Sequence, residues 1–153
     1  MQFLPSARAA WGYETPMARV PTVKRVMSPF PYSLDAGADL AAATAMMEQH
    51  DVRHLPVTHD GVVIGVLSQR ELAVAMAVGD GDALVGDVCT PDPYIVEHDT
   101  PADVVARTMA ERHIGSTVVL HHGKLAGIVT TVDVCSAYAA LLGGDEPPDD
   151  AVA

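Results

Sequence analysis

At 153 residues, with 49% hydrophobic and only 5% aromatic residues, the chain can bury an aliphatic core as one domain or two small ones. Its formal net charge of −11 opposes binding to nucleic acid or anionic membranes, because phosphate surfaces demand a basic face. No apolar run reaches the roughly 18 residues of a membrane crossing, and the start, MQFLPSARAAWGYETP, lacks a secretory h-region, so the expected compartment is the cytoplasm.

In chain order, residues 1–20 read as an N-terminal arm whose Trp11 and Tyr13 suit docking on the folded part or a partner, or disorder in solution. A short helical turn, TVKRVMSP, is stopped by a proline and followed by an extended piece around Tyr32 to Leu34. Leu40, Ala43, Met47 and His50 then recur at helical spacing, with a weak cap. HLPVTHDGVVIGVLS reads as two strands joined at Asp60-Gly61, since a type I′ turn needs positive φ at both central positions. A helix over QRELAVAMAV closes the unit, and GDGD at 79–82 reads as a linker.

The same order then recurs: a turn in ALVGDVCTP, an extended piece at Tyr94 to Val96, and a helix through Val104, Val105, Thr108, Met109 and Arg112. Thr100, Pro101 and Asp103 are expected as its N-cap, first-turn proline and N3 acid. STVVLHHGKLAGIVT gives a second hairpin at His122-Gly123, and TVDVCSAYAALL a last helix. Shifted by 62 positions, the chain matches itself without a gap: Pro29 falls on Pro91, Tyr32 on Tyr94, His59 on His121, Gly61 on Gly123 and Gly65 on Gly127. A period this long means two copies of one supersecondary unit. The expected fold is α/β (α+β): two β-α-β-β-α repeats, 21–80 and 81–142, packed sheet to sheet with pseudo-twofold symmetry, then a disordered acidic tail over 143–153. Neither unit has enough apolar surface to stand alone, and ligand clefts are expected between them.

The strand-to-helix junctions carry the chemistry. GIVTTVD at 127–133 and GVLSQRE at 65–71 each place a hydroxyl three residues before an acid at a helix start. Such a pair serves as a helix cap, or as a contact for a sugar or phosphate. Arg53 and His54 suit either a solvated helix end or a phosphate. His59, His121 and His122 read as exposed turn residues rather than metal ligands. Met46, Met47, Met76 and Met109 read as core or dimer-interface filler, and Cys89 and Cys135 as small core residues.

The ordered motifs VKRVMSP, RHLPV and GVLSQRE, then VGDVCTP, GSTVV and GIVTTVD, resemble a pair of CBS domains (a Bateman module) over residues 21–142. That resemblance implies a regulatory module rather than an enzyme, with no required cofactor or metal. Its implied ligands are AMP, ADP, ATP or S-adenosylmethionine, and its implied partners are a second copy and a regulated protein. It assigns Asp133 and Thr130, and their counterparts Glu71 and Ser68, to ribose or phosphate, with Arg53 and His54 as phosphate cations. The adenine falls to the segments of Thr90, Pro91 and Tyr94 and of Ser28, Pro29 and Tyr32. Glu71 is one methylene longer than the family's aspartate, which favours the Asp133 cleft. The alternative is a ligand-free dimerisation or interaction module with degenerate clefts.

Overall fold

The two hairpins form as their turn chemistry requires. In the computed structural model, which describes residues 20–29, 31–79 and 81–144, β3 (His54–His59) and β4 (Val62–Ser68) pair antiparallel, as do β7 (Ser116–His121) and β8 (Lys124–Thr130). Asp60 and Gly61 sit at φ 50° and 78°, and His122 and Gly123 at 51° and 75°. The arm with Trp11 and Tyr13 and the acidic end of the tail lie outside the described residues.

Each unit places a short strand, β2 (Leu34–Asp35) or β6 (Ile95–Glu97), before its first long helix. That strand lies parallel to the first hairpin strand, β3 or β7. A parallel pair needs a crossover, supplied by α1 (Leu40–His50) and α4 (Ala102–Arg112). Helices α2 (Gln69–Ala77) and α5 (Thr131–Gly143) follow the hairpins, and a short α3 (Val85–Val88) opens the second unit. The β-α-β-β-α order therefore holds twice.

Two further strands, absent from the sequence reading, join the units. Ser28–Pro29 (β1) pairs with β8 of the second unit, and Thr90–Pro91 (β5) pairs with β4 of the first. The sheets run β2-β3-β4-β5 and β1-β8-β7-β6, each completed by the other unit. The exchange keeps the sequence offset: Ser28 faces Ile128 as Thr90 faces Val66, and Pro29 faces Gly127 as Pro91 faces Gly65. The cores are shared in the same way. Val85 and Cys89 pack into the first cluster around Leu55, Val57 and Leu67, and Val23 and Met27 into the second around Val105, Val119 and Val129.

The caps reverse the expected strengths. Asp39 caps α1, its Oδ1 accepting from Ala42 N at 2.7 Å. In the second unit Pro101, not Thr100, is the N-cap, and no side chain caps α4. The Thr100 carbonyl instead accepts from Val23 N at 2.7 Å. Residues 100–101 are thus tied to the first unit's opening turn, with Pro101 bridging Thr22, and Pro101 stands where Asp39 stands in the other copy. Two burial expectations fail, and for Met76 only the interface alternative to a core place is left. Met76 is 53% exposed, Val104 is exposed while Val105 is buried, and Cys135 is exposed because α5 buries no residue at all. Thr117 is buried with an unpaired hydroxyl where the first unit has Leu55, so the second core carries a polar defect that the first lacks.

Candidate functional site

Both strand-to-helix junctions form the capping boxes their sequences suggest. Ser68 N donates to Glu71 Oε2 at 2.7 Å while Ser68 Oγ accepts from Glu71 N at 3.3 Å. Thr130 N donates to Asp133 Oδ2 at 2.7 Å and Thr130 Oγ1 accepts from Asp133 N at 3.4 Å. Each pair satisfies backbone donors that a helix start leaves open. The carboxylates differ in what remains. Asp133 uses Oδ2 twice, since the Thr130 hydroxyl also donates to it at 2.9 Å, and Oδ1 has no hydrogen-bond partner among the described residues. Glu71 uses both oxygens, because its Oε1 accepts from the hydroxyl of Thr90 on the crossing strand. The extra methylene lets Glu71 cap its own helix and reach the other unit.

An open cleft of about 740 Å³ lies beside Glu71, within the range of small-molecule sites. Four regions of the chain line it: Arg53 and His54; Val66 and Ser68 to Glu71; Thr90 and Asp92 to Tyr94; and Arg112 to Ser116. A second hollow of about 450 Å³ adjoins it through Ser68, Arg70 and Glu71. Three arginines, Arg53, Arg70 and Arg112, face the larger cleft against two carboxylates, Glu71 and Asp92. In a chain of net charge −11 this is a local cationic surface, the condition an anionic ligand requires.

Positions 53–54 and 115–116 are repeat equivalents and meet in this cleft. His54 Nε2 lies 3.5 Å from where a Cβ on Gly115 would stand. A Cβ there would be in ordinary van der Waals contact with the imidazole, so the two stretches meet closely without depending on the glycine. Burial lowers the pKa of His54; the Glu71 and Asp133 carboxylates oppose that shift and Arg53 adds to it. His54 therefore senses both junctions.

The tyrosines hold equivalent places with different neighbours. Tyr32 stacks on His50 with ring centroids 3.6 Å apart, which occupies one face of its ring. Tyr94 receives the Arg112 guanidinium 5.2 Å from its centroid, and both line the cleft. Ser28 and Pro29 pair with Ile128 and Gly127, on the Asp133 side. Thr90 and Pro91 pair with Val66 and Gly65, on the Glu71 side. The fold thus brings Ser68, Glu71, Arg53, His54, Thr90 and Tyr94 together. Thr130, Asp133, Ser28 and Pro29 do not line that cleft. Sequence reading missed Arg70, Arg112 and Asp92. By spacing Arg112 belongs to the α4 stripe, but as the last helical residue, matching His50, it is exposed and lines the cleft.

The CBS domain family matches twice, over residues 23–78 and 85–140. A homoserine O-acetyltransferase from Methanosphaera stadtmanae is 29% identical over 118 residues, 76% of this chain, but the chain spans only 24% of that enzyme. The CBS domain-containing protein YhcV from Bacillus subtilis is 26% identical over 74% of this chain and 82% of its own length. Among solved structures, CBSX2 in complex with AMP superposes with a TM-score of 0.69 at 26% identity, covering 80% of this chain and 98% of that one. With two matched units in tandem, joined by exchanged strands, the chain belongs to the CBS-domain family as a CBS pair.

Proposed function

We propose that this CBS pair is a regulatory module that binds an anionic adenosine compound, AMP foremost, in the cleft at Glu71, and passes the bound state to a partner protein. The observation that carries this reading is the convergence of Arg53, Arg70, Arg112 and His54 around a helix start inside a roomy inter-repeat cleft. Arginine forks match phosphate oxygens, and the N-terminus of α2 adds backbone donors. The solved CBSX2 complex makes AMP the first nucleotide to test. Ribose hydroxyls approaching Glu71 would displace the Thr90 hydroxyl, which belongs to the other unit. Occupancy would then be felt across the crossing strand, a route by which a ligand biases the surface offered to a partner.

A second reading places the ligand at Asp133, because of the two junction carboxylates it is the one that keeps an oxygen without a hydrogen-bond partner among the described residues. Thermal denaturation of the full chain with AMP, ADP, ATP and S-adenosylmethionine tests both at once. A ligand at 100 times its Kd should add about 2.7 kcal/mol of stability. No shift with any of them would leave an interaction module without a nucleotide.

The assembly proposed is a homodimer through α5. Val132, Tyr138, Leu141 and Leu142 are 54–69% exposed there, and no residue of the helix is buried. An apolar helix that the described residues leave uncovered calls for a partner surface, and a second copy is the occupant that the CBS resemblance implies.

A further inference from the structure

The parallel pairing of β6 and β7 brings two imidazoles together on the second unit. His98 follows β6, and its backbone is fixed on both sides: N donates to Leu120 O at 2.9 Å and the carbonyl accepts from Lys24 N at 3.1 Å. His121 is the last residue of β7, held in register against Lys124. Their Nδ1 atoms stand 3.1 Å apart, with ring centroids at 4.0 Å. One ring must carry its proton on Nδ1 and donate it to the other.

We propose that His98 and His121 form a binding site for a nitrogen-preferring divalent transition-metal ion, with water completing the coordination shell. At metal–nitrogen bonds of roughly 2.0–2.1 Å, an Nδ1 separation of 3.1 Å sets an angle at the metal of about 95–102°. That lies between the right angle of square-planar or octahedral complexes and the tetrahedral value, so Cu²⁺, Ni²⁺ and Zn²⁺ are all admitted. Binding moves the Nδ1 proton of the donor ring to its Nε2, which is a change of tautomer with no net proton release at neutral pH. Among the described residues no three His, Cys, Asp or Glu side chains converge as a cage, so the site is an open chelate rather than a closed structural centre. Glu97 lies near enough to favour a cation and Lys24 near enough to oppose one. The backbone ties of His98 fix its Cα beside β7, so little ordering remains for the ion to impose. The ion would also brace the place where the first unit's opening turn, through Lys24, rests on the second.

The first unit is an internal control. His59 is the counterpart of His121, but Ala36 stands in the place of His98, so no imidazole pair forms there.

The test is titration of the full chain, free of any purification tag, with Cu²⁺, followed by calorimetry and electron paramagnetic resonance. The expected result is one ion per chain held by two imidazole nitrogens. His98→Gln and His121→Gln should each weaken binding ~10-fold or more, the scale at which even outer-shell partners of a metal ligand matter, and leave one nitrogen in the spectrum. His59→Gln should leave affinity unchanged. A wild-type spectrum without two imidazole nitrogens overturns the assignment with no variant needed. Saturable binding that persists at full strength in the His98 and His121 variants overturns it as well.

Discussion

Gly65 and Gly127 decide whether the two units can join. Each lies opposite the other unit's crossing proline, and neither has a strained φ; what they supply is room. A Cβ at Gly65 would stand 2.7 Å from both Thr90 O and Cys89 Sγ, whereas at Gly127 it would fall mainly on the thioether of Met27. A backbone carbonyl and a short buried thiol have nowhere to go, but a methionine can re-pack. Gly65→Ala should therefore cost about 1–3 kcal/mol, the range for overpacking, and Gly127→Ala less, both read by urea unfolding; equal costs would remove this explanation of the shared glycines. Both glycines were visible in the repeat. Their reason was not, because the atoms they make room for belong to the other copy.

At the same scale, His54 gives the cleft a pH dependence. Burial holds its folded pKa below the ordinary histidine value, against the pull of Glu71 and Asp133 and with the help of Arg53. As pH falls, the unfolded chain takes the proton first, so the stability His54 contributes is complete above about 6.5 and is lost through the window below it. A bound phosphate would favour the charged imidazole and raise that pKa. Nuclear magnetic resonance titration of His54 should show a low pKa in the free protein that rises with AMP, and affinity that strengthens as pH falls. An unchanged His54 titration with AMP bound would place the phosphate elsewhere.

Among the elements, the caps show how tertiary contacts override local signals. Thr100-Pro101-x-Asp103 has the residues of a strong helix start, yet bridging to Thr22 holds its backbone for the other unit, and the side-chain cap appears at Asp39 instead. Asp39→Ala should cost about 1 kcal/mol, while Thr100→Ala should stay within about 0.5 kcal/mol, as measured by thermal or urea unfolding. The reverse order would restore Thr100 as the cap. Hairpins and helix periods were legible because they depend on near neighbours and a repeating apolar stripe. Strands β1 and β5 were not, since two residues without alternation carry no periodic signal and exist only through pairing with a distant segment. Helix α5 was legible as a helix but not as an uncovered one. If its exposed face is a dimer seam, Leu142→Glu should convert a dimer to a monomer in sedimentation experiments with the fold intact by circular dichroism; a wild-type monomer would end that proposal.

For the whole molecule, the pseudo-twofold makes two junctions and the side chains make them unequal. Sequence reading favoured Asp133 on carboxylate geometry, and Asp133 does keep an oxygen without a hydrogen-bond partner among the described residues. The cations, however, gather at Glu71, drawn from stretches that meet only because positions 53 and 115 face each other across the repeat. No spacing in the sequence shows that meeting, which is why Arg70 and Arg112 escaped notice while Arg53, His54, Ser68 and Glu71 did not. The most direct measurement is calorimetric titration of AMP into the wild-type chain and into Arg112→Ala, Arg53→Ala and Asp133→Ala. Binding at Glu71 requires that each arginine variant lose affinity by about 1.5–3 kcal/mol, the worth of a charged hydrogen bond, while Asp133→Ala binds as the wild type does. Loss of AMP binding in Asp133→Ala with both arginine variants unaffected would contradict it and move the ligand to the other cleft.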